Sequence, residues 1–145
     1  MSVTCTRKIR FDGAHRILGH EGKCANLHGH GYEIEITAAG KTASVDSLGR
    51  VIDFSILKDK IGTWVNDNWD HTIILWTEDK DAVEMARKLQ VNKEVFVTPF
   101  NPTAENMAQY LLHEICPKLL NDTDVKVVRV QINETPNCYA TATLM

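Results

Sequence analysis

The chain has 145 residues, 43% of them hydrophobic and 24% charged, with a formal net charge of -3. That is ordinary for one globular domain over residues 1–145 with a sizeable core, and it offers no basic surface for nucleic acid. No apolar run approaches membrane-spanning length, and the four cysteines are scattered without a framework pattern, which reads as reduced thiols in a cytoplasmic protein.

Residues Met1 to Arg7 lack the apolar core of a signal peptide. Thr4 to Phe11 alternates polar and apolar residues and predicts a first strand; Tyr32 to Ala39 predicts a second. Gly40 to Arg50 reads as a hairpin connection turning at Ser47-Leu48-Gly49-Arg50, after which Val51 and Ile52 return to extended chain. Asp53 is a good N-cap for a helix with Phe54, Leu57, Ile61, Trp64 and Val65 on one face, ending at Asn66-Asp67-Asn68. Trp69 to Leu75 follows. Thr77 then opens a short helix through Ala82, Val83, Ala86 and Leu89, and Glu94 to Thr98 is a short strand. Asn101 caps a further helix with Pro102 at its first position. Its apolar stripe is Ala104, Ala108, Leu111 and Ile115, and Pro117 stops it. The last strands are Val125 to Asn133 and Cys138 to Leu144, joined by Glu134-Thr135-Pro136-Asn137.

This order predicts an α+β domain, ββααββ, with a four-stranded antiparallel sheet and two main helices on one face. Rows such as Val128, Val130, Ile132 and Cys138, Ala140, Ala142 suggest that both faces are partly apolar. A sheet of that kind covered on one side only tends to oligomerise.

The chemistry concentrates in Cys24-Ala25-Asn26-Leu27-His28-Gly29-His30. Side chains two apart on a strand share a face, so His28 and His30 can aim at one point, and imidazole is the commonest protein ligand for zinc-like ions. His15 closes the first extended run and reaches the same point if the two strands are neighbours. Three neutral histidines leave one tetrahedral position open, as in a catalytic zinc site. Cys24 could fill that position and make a closed, non-catalytic zinc site, or stand beside the ion as base or nucleophile. The absence of CxxC pairs favours the open site. Asp70-His71 is either an acid–base pair or a helix-end cap. Glu134 is either a ligand anchor or a turn carboxylate. Arg16 and Lys23 are candidates for an anionic group or solvated surface charge. Cys5, Cys116 and Cys138 read as packing residues, and His113 as a partly exposed helical residue.

Taken together, Phe11-x-x-Ala14-His15-Arg16, Cys24-x-x-x-His28-Gly29-His30, Ile52-Asp53-Phe54, Asp70-His71, Pro102-Thr103-Ala104-Glu105-Asn106 and Glu134-Thr135-Pro136 resemble the 6-pyruvoyl-tetrahydropterin synthase / 6-carboxy-tetrahydropterin synthase family across nearly the whole chain. The resemblance implies a tunnelling fold, with protomers joining their sheets into a barrel, three per ring, and two rings stacked as a homohexamer with sites between subunits. It implies zinc on His15, His28 and His30, a catalytic Cys24, and the proton-transfer pair Asp70 and His71. It implies a pterin anchored by Glu134, with Thr103 and Glu105 near the pterin, and a pterin triphosphate as substrate. The three-residue gap between Cys24 and His28 resembles the carboxy branch, which serves queuosine and deazapurine biosynthesis. The pyruvoyl branch usually has a longer gap.

Overall fold

Residues 2–145 are described by a computed structural model. The frame is a long antiparallel pair, β1 (Thr4–His15) and β2 (His28–Gly40). Phe11 lies opposite Tyr32 and His15 opposite His28. Both strands run four residues further than the alternation predicts, so all three candidate histidines lie inside the ladder. Two glycines allow this. A Cβ on Gly13 would stand 2.9 Å from the Phe11 ring, and one on Gly29 would stand 3.2 Å from the Gly13 carbonyl. The strands approach closely where the histidines gather because those positions carry no side chain.

β2 does not turn into a hairpin. Residues 41–53 form a loop, and Val51 and Ile52 pack against the core without joining the sheet. The turn at its tip is organised by Asp46, whose carboxylate accepts from the N–H groups of Leu48 and Arg50, with Gly49 at φ +88°. Asp53 caps α1 (Phe54–Leu57) through the Ser55 N–H. A π turn over Lys58–Gly62 leads into α2 (Thr63–Asn68), and together they bury Leu57, Ile61 and Val65 while Phe54 stays exposed.

The sheet has six strands, not four, and is mixed, not antiparallel. β3 (Thr72–Trp76) pairs parallel with the end of β1, placing Ile74 opposite His15. After α3 (Lys80–Leu89), β4 (Phe96–Thr98) pairs parallel with β3. Strands of five and three residues carry too little alternation to reveal their partners; the crossover through α3 sets them parallel. α4 (Ala104–Tyr110) is capped by the Thr103 hydroxyl rather than by Asn101, and continues through a π turn (Leu111–Ile115) into α5 (Cys116–Leu119). Pro117 does not stop the helix, because it falls in the first turn after the π turn, where a missing N–H is tolerated. β5 (Val125–Thr135) and β6 (Cys138–Thr143) complete the order β4-β3-β1-β2-β5-β6.

The helices cover one face, where Phe11, Tyr32, Ile34, Ile36, Trp69, Met107, Leu111, Val130 and Ile132 are buried together. The opposite face is polar, unlike the partly apolar face expected. Lys8 and Arg10 approach Glu33, and Gln131 links Glu35, Asn133 and Arg129. Cys116 is a buried packing residue, but Cys138 is exposed on the edge strand. Among the described residues, no helix is long and apolar enough to cross a membrane.

Ile34 sits at the centre of the covered face with no exposed surface. Ile34→Ala should cost about 2–5 kcal/mol of unfolding free energy, read as a lower urea midpoint. Lys8→Ala, at an exposed ion pair, should change it by less than about 0.5 kcal/mol.

Candidate metal centre and active site

Three imidazoles converge at the end of the β1–β2 ladder. His15 comes from β1, and His28 and His30 from the start of β2. One ring nitrogen from each lies within 4.8 Å of the others, and the rings meet edge to face at centroid distances of 4.7, 4.8 and 5.2 Å. The Tyr32 ring forms the floor, 5.3 Å from His30, and stacks on Phe11 at 4.5 Å.

The tautomers follow from the carbonyls around them. His15 Nδ1–H donates to the Pro102 carbonyl at 2.7 Å, and His28 Nδ1–H donates to the Asn26 carbonyl at 2.7 Å. Each neutral ring then carries a bare lone pair on Nε2. Those two Nε2 atoms face each other at 3.1 Å. Two acceptors at that distance repel unless a positive centre stands between them. His30 Nε2 is buried and makes no hydrogen bond, although Glu134 Oε2 stands 3.0 Å away. Tetrahedral zinc with bonds near 2.05 Å would set its nitrogens about 3.3 Å apart. The donor set, the opposed lone pairs and the orphaned nitrogen therefore fit such an ion. The second partners, Nδ1–H to backbone carbonyls, are those that orient histidine ligands.

Burial favours the neutral form of His15 and His30. It lowers the His15 pKa to about 4 against the lift from the Pro102 carbonyl, with His28 and His30 adding to the fall. Burial also lowers His30, Glu134 pulling the other way. Tyr32 is pushed far up by burial, with Glu134 adding to it.

Cys24 lies on a 3₁₀ turn (Lys23–Ala25) between the two strands, half-buried and outside the cluster of nitrogen donors. The turn is tied back to the histidine end of β1 by the Ile17 N–H, which donates to the Cys24 carbonyl at 2.9 Å. Asn101 holds the same loop. Its amide accepts from the Leu18 N–H and donates to the Leu18 carbonyl, at 3.1 and 2.9 Å. The motif around Pro102 is thus a clamp. Asn101 fixes the cysteine loop, Pro102 fixes His15, and Thr103 accepts from the Asn106 N–H as the helix cap. Sequence reading missed Asn101 because an asparagine before proline reads as a cap. Glu105 is exposed in the first turn of α4.

Asp70 and His71 form a pair away from the imidazole cluster, with His71 Nδ1–H donating to Asp70 Oδ2 at 2.9 Å. The corner is latched to β1. The Asp12 N–H donates to Asp70 Oδ1 at 2.9 Å, and the His71 N–H donates to the Asp12 carbonyl at 2.6 Å. Partial burial pushes the Asp70 pKa up, but the Asp12 N–H, His71 and Lys93 outweigh it and the net shift is downward. The pair also lies at a helix end: the Asp70 N–H donates to the Val65 carbonyl of α2 at 3.0 Å, and His71 follows with φ +54° and a ring 76% exposed.

Arg16 is engaged elsewhere than at an anionic ligand. Its Nε and Nη2 grip Asp79, a 3%-exposed carboxylate, at 2.6 and 2.5 Å. Lys23 is exposed on the cysteine turn.

The family described as 6-pyruvoyl tetrahydropterin synthase matches residues 4–144. A protein of Rickettsia bellii named 6-carboxy-5,6,7,8-tetrahydropterin synthase is 45% identical over 139 residues, covering 94% of this chain and 97% of its own length. A protein of Haemophilus influenzae with the same name is 32% identical over 136 residues, covering 92% and 94%. Among solved structures, the 6-pyruvoyl tetrahydropterin synthase of Caenorhabditis elegans is similar with a TM-score of 0.64 at 26% identity, covering 99% of this chain and 96% of that one. An uncharacterized protein of Wolinella succinogenes shares the fold with a TM-score of 0.80 at 19% identity, covering 99% and 98%. A match over almost every residue, with these histidines at the head of the sheet, means that the chain belongs to the 6-pyruvoyl tetrahydropterin synthase family.

Proposed function

We propose that the chain is a zinc-dependent 6-carboxy-5,6,7,8-tetrahydropterin synthase. It converts 7,8-dihydroneopterin triphosphate and one water to 6-carboxytetrahydropterin, acetaldehyde and triphosphate, in the cytoplasm and in the service of queuosine-type deazapurine synthesis. The observation that carries the reading is the pair of opposed Nε2 lone pairs at 3.1 Å beside a third, orphaned imidazole nitrogen. The names of the relatives and the short gap between Cys24 and His28 support the carboxy product over the pyruvoyl one.

His15, His28 and His30 hold the ion, which when bound supplies Lewis acidity toward the hydroxyl oxygens of the substrate side chain. Cys24 removes a carbon-bound proton as thiolate. His71, oriented by Asp70, carries protons to and from the side-chain oxygens. Glu134 accepts hydrogen bonds from the guanidine-like edge of the pterin, a charge-assisted bidentate match. Thr103 and Glu105 stand at the base of that pocket. For the triphosphate Lys23 is the stronger candidate, since Arg16 would first have to release Asp79.

A homohexamer of two stacked trimers, with sites between subunits, belongs to the same reading. Two features support it. β1 meets β3 only at Gly13–His15, leaving most of its length unpaired on that side, and β6 is a six-residue edge strand. Two free edges on one sheet allow barrel closure between copies. The exposed His71 ring suits a residue that serves a neighbouring subunit's centre.

Incubation with dihydroneopterin triphosphate should yield acetaldehyde and a carboxypterin by mass; a pyruvoyl product would move the chain to the other branch, and bound but unaltered pterin would make it a binding protein. Cys24→Ala should lose turnover by about 10²-fold or more while keeping zinc. His28→Ala should lose zinc, read by metal analysis. Metal-free protein should also lose stability in acid. His15 has its pKa depressed on folding, so the unfolded chain binds more protons below about pH 6.5 and stability falls as pH drops toward about 4. Urea unfolding should show a loss of about 2 kcal/mol between about pH 7 and about pH 5 from this ring.

A further inference from the structure

The segment from Thr77 to Val95 holds α3, whose Val83 and Ala86 form a small separate core with Leu75 of β3. Two side chains just beyond α3 reach away from that core to the Asp70–His71 corner. Gln90 Nε2 donates to the His71 carbonyl at 3.0 Å, and the Ile73 N–H donates to Gln90 Oε1 at 3.3 Å. Lys93 Nζ donates to the Asp70 carbonyl at 2.5 Å and to the Asn66 carbonyl at 2.6 Å.

The Gln90 pattern is that of a parallel strand. In a parallel ladder one residue donates to the carbonyl of residue i−1 and accepts from the N–H of residue i+1 on its neighbour. The Gln90 amide does both across Thr72. The true partner, β4, begins only at Phe96 opposite Ile74. A single side chain therefore extends the ladder over the first turn of β3, where no strand is available. It does so at a histidine whose φ of +54° is an unfavourable region for a residue with a side chain. The corner is held from two other sides, by Asp12 on β1 and by Lys93 across the end of α2.

We propose that Gln90 is a positioning residue, with Lys93 as its companion, that holds the His71 backbone in its left-handed conformation and so aims the His71 ring. The task of α3 in this picture is to deliver that brace. The proposal rests on the reading of His71 as proton carrier, and its test separates the two.

Zinc-loaded full-length protein labelled with ¹³C,¹⁵N-histidine reports the His71 ring directly, its signals assigned by their disappearance in His71→Ala. Gln90→Ala should shift or broaden them. It should lower kcat about 10- to 100-fold with KM within about twofold, keep the zinc content, and lower the unfolding free energy by no more than about 2 kcal/mol, about 30-fold in the folding equilibrium, for the loss of its two hydrogen bonds. Gln90→Glu keeps the acceptor for Ile73 but cannot donate to the His71 carbonyl, so it should remain impaired; it also serves if Gln90→Ala folds poorly. Parental His71 signals and parental kcat in both variants would overturn the proposal. So would a fall in kcat matched by loss of zinc or by unfolding under the assay conditions, which assigns Gln90 to general stability. Full turnover in His71→Ala would instead remove the proton-carrier reading, while the histidine signals still decide whether Gln90 holds the corner.

Discussion

The centre depends on two backbone carbonyls. Pro102 and Asn26 each take an Nδ1–H, and that alone leaves the Nε2 lone pairs of His15 and His28 pointing at each other. Reverse either tautomer and the two rings could hydrogen-bond to one another, satisfying themselves without an ion. The carbonyls therefore store an electrostatic conflict that positive charge relieves. Partners of this kind are commonly worth 10- to 100-fold in metal affinity, by about that order. The burial that holds His15 neutral works in the same direction, since a protonated ring cannot ligate.

β1 connects this conflict to the rest of the site. It carries His15 in the ladder and, three residues earlier, Asp12, whose N–H and carbonyl latch Asp70 and His71. β2 supplies the other two imidazoles through the same register. The π turn Lys58–Gly62 packs on β1 and the π turn Leu111–Ile115 on β5, and the aromatic cluster of Phe11, Tyr32 and Trp69 fixes the sheet beneath the centre. A shift of one residue between β1 and β2 would send His15 to the polar face, so the register is itself part of the site.

The parts of this arrangement that local pattern encodes were legible in the chain. The histidine trio was readable from an i, i+2 spacing beside a second extended run, and Asp53 as a cap from its place before an apolar stripe. Of the sheet's extra strands, the one at Phe96–Thr98 was legible as a short strand over Glu94 to Thr98, but Thr72–Trp76 was not, and the parallel pairing of both was hidden because strands so short carry too little pattern to name their partners. Arg16 looked available for an anion because its partner, Asp79, is 63 residues away in sequence. Asn101 and Thr103 exchanged roles for a similar reason. Both are good caps, and only the position of the Leu18 backbone shows that Asn101 is needed elsewhere. The polar face was misjudged because β2 and β5 slip register between Thr37 and Ala38, which moves neighbouring residues between faces.

The segment around α3 shows how a fold can add control without disturbing its core. Leu75, Val83 and Ala86 form a cluster apart from the main one, so α3 rests on its own small foundation. Changes there need not loosen the sheet under the imidazoles. The segment reaches the site through polar side chains at its far end, Gln90 and Lys93, and through Asp79 holding Arg16 at the residue after His15. Hydrogen bonds to backbone atoms constrain direction more than they add stability, each contributing about 1 kcal/mol net. A corner bearing an exposed ring in a left-handed conformation needs direction more than stability, and the segment supplies it from both ends of β3.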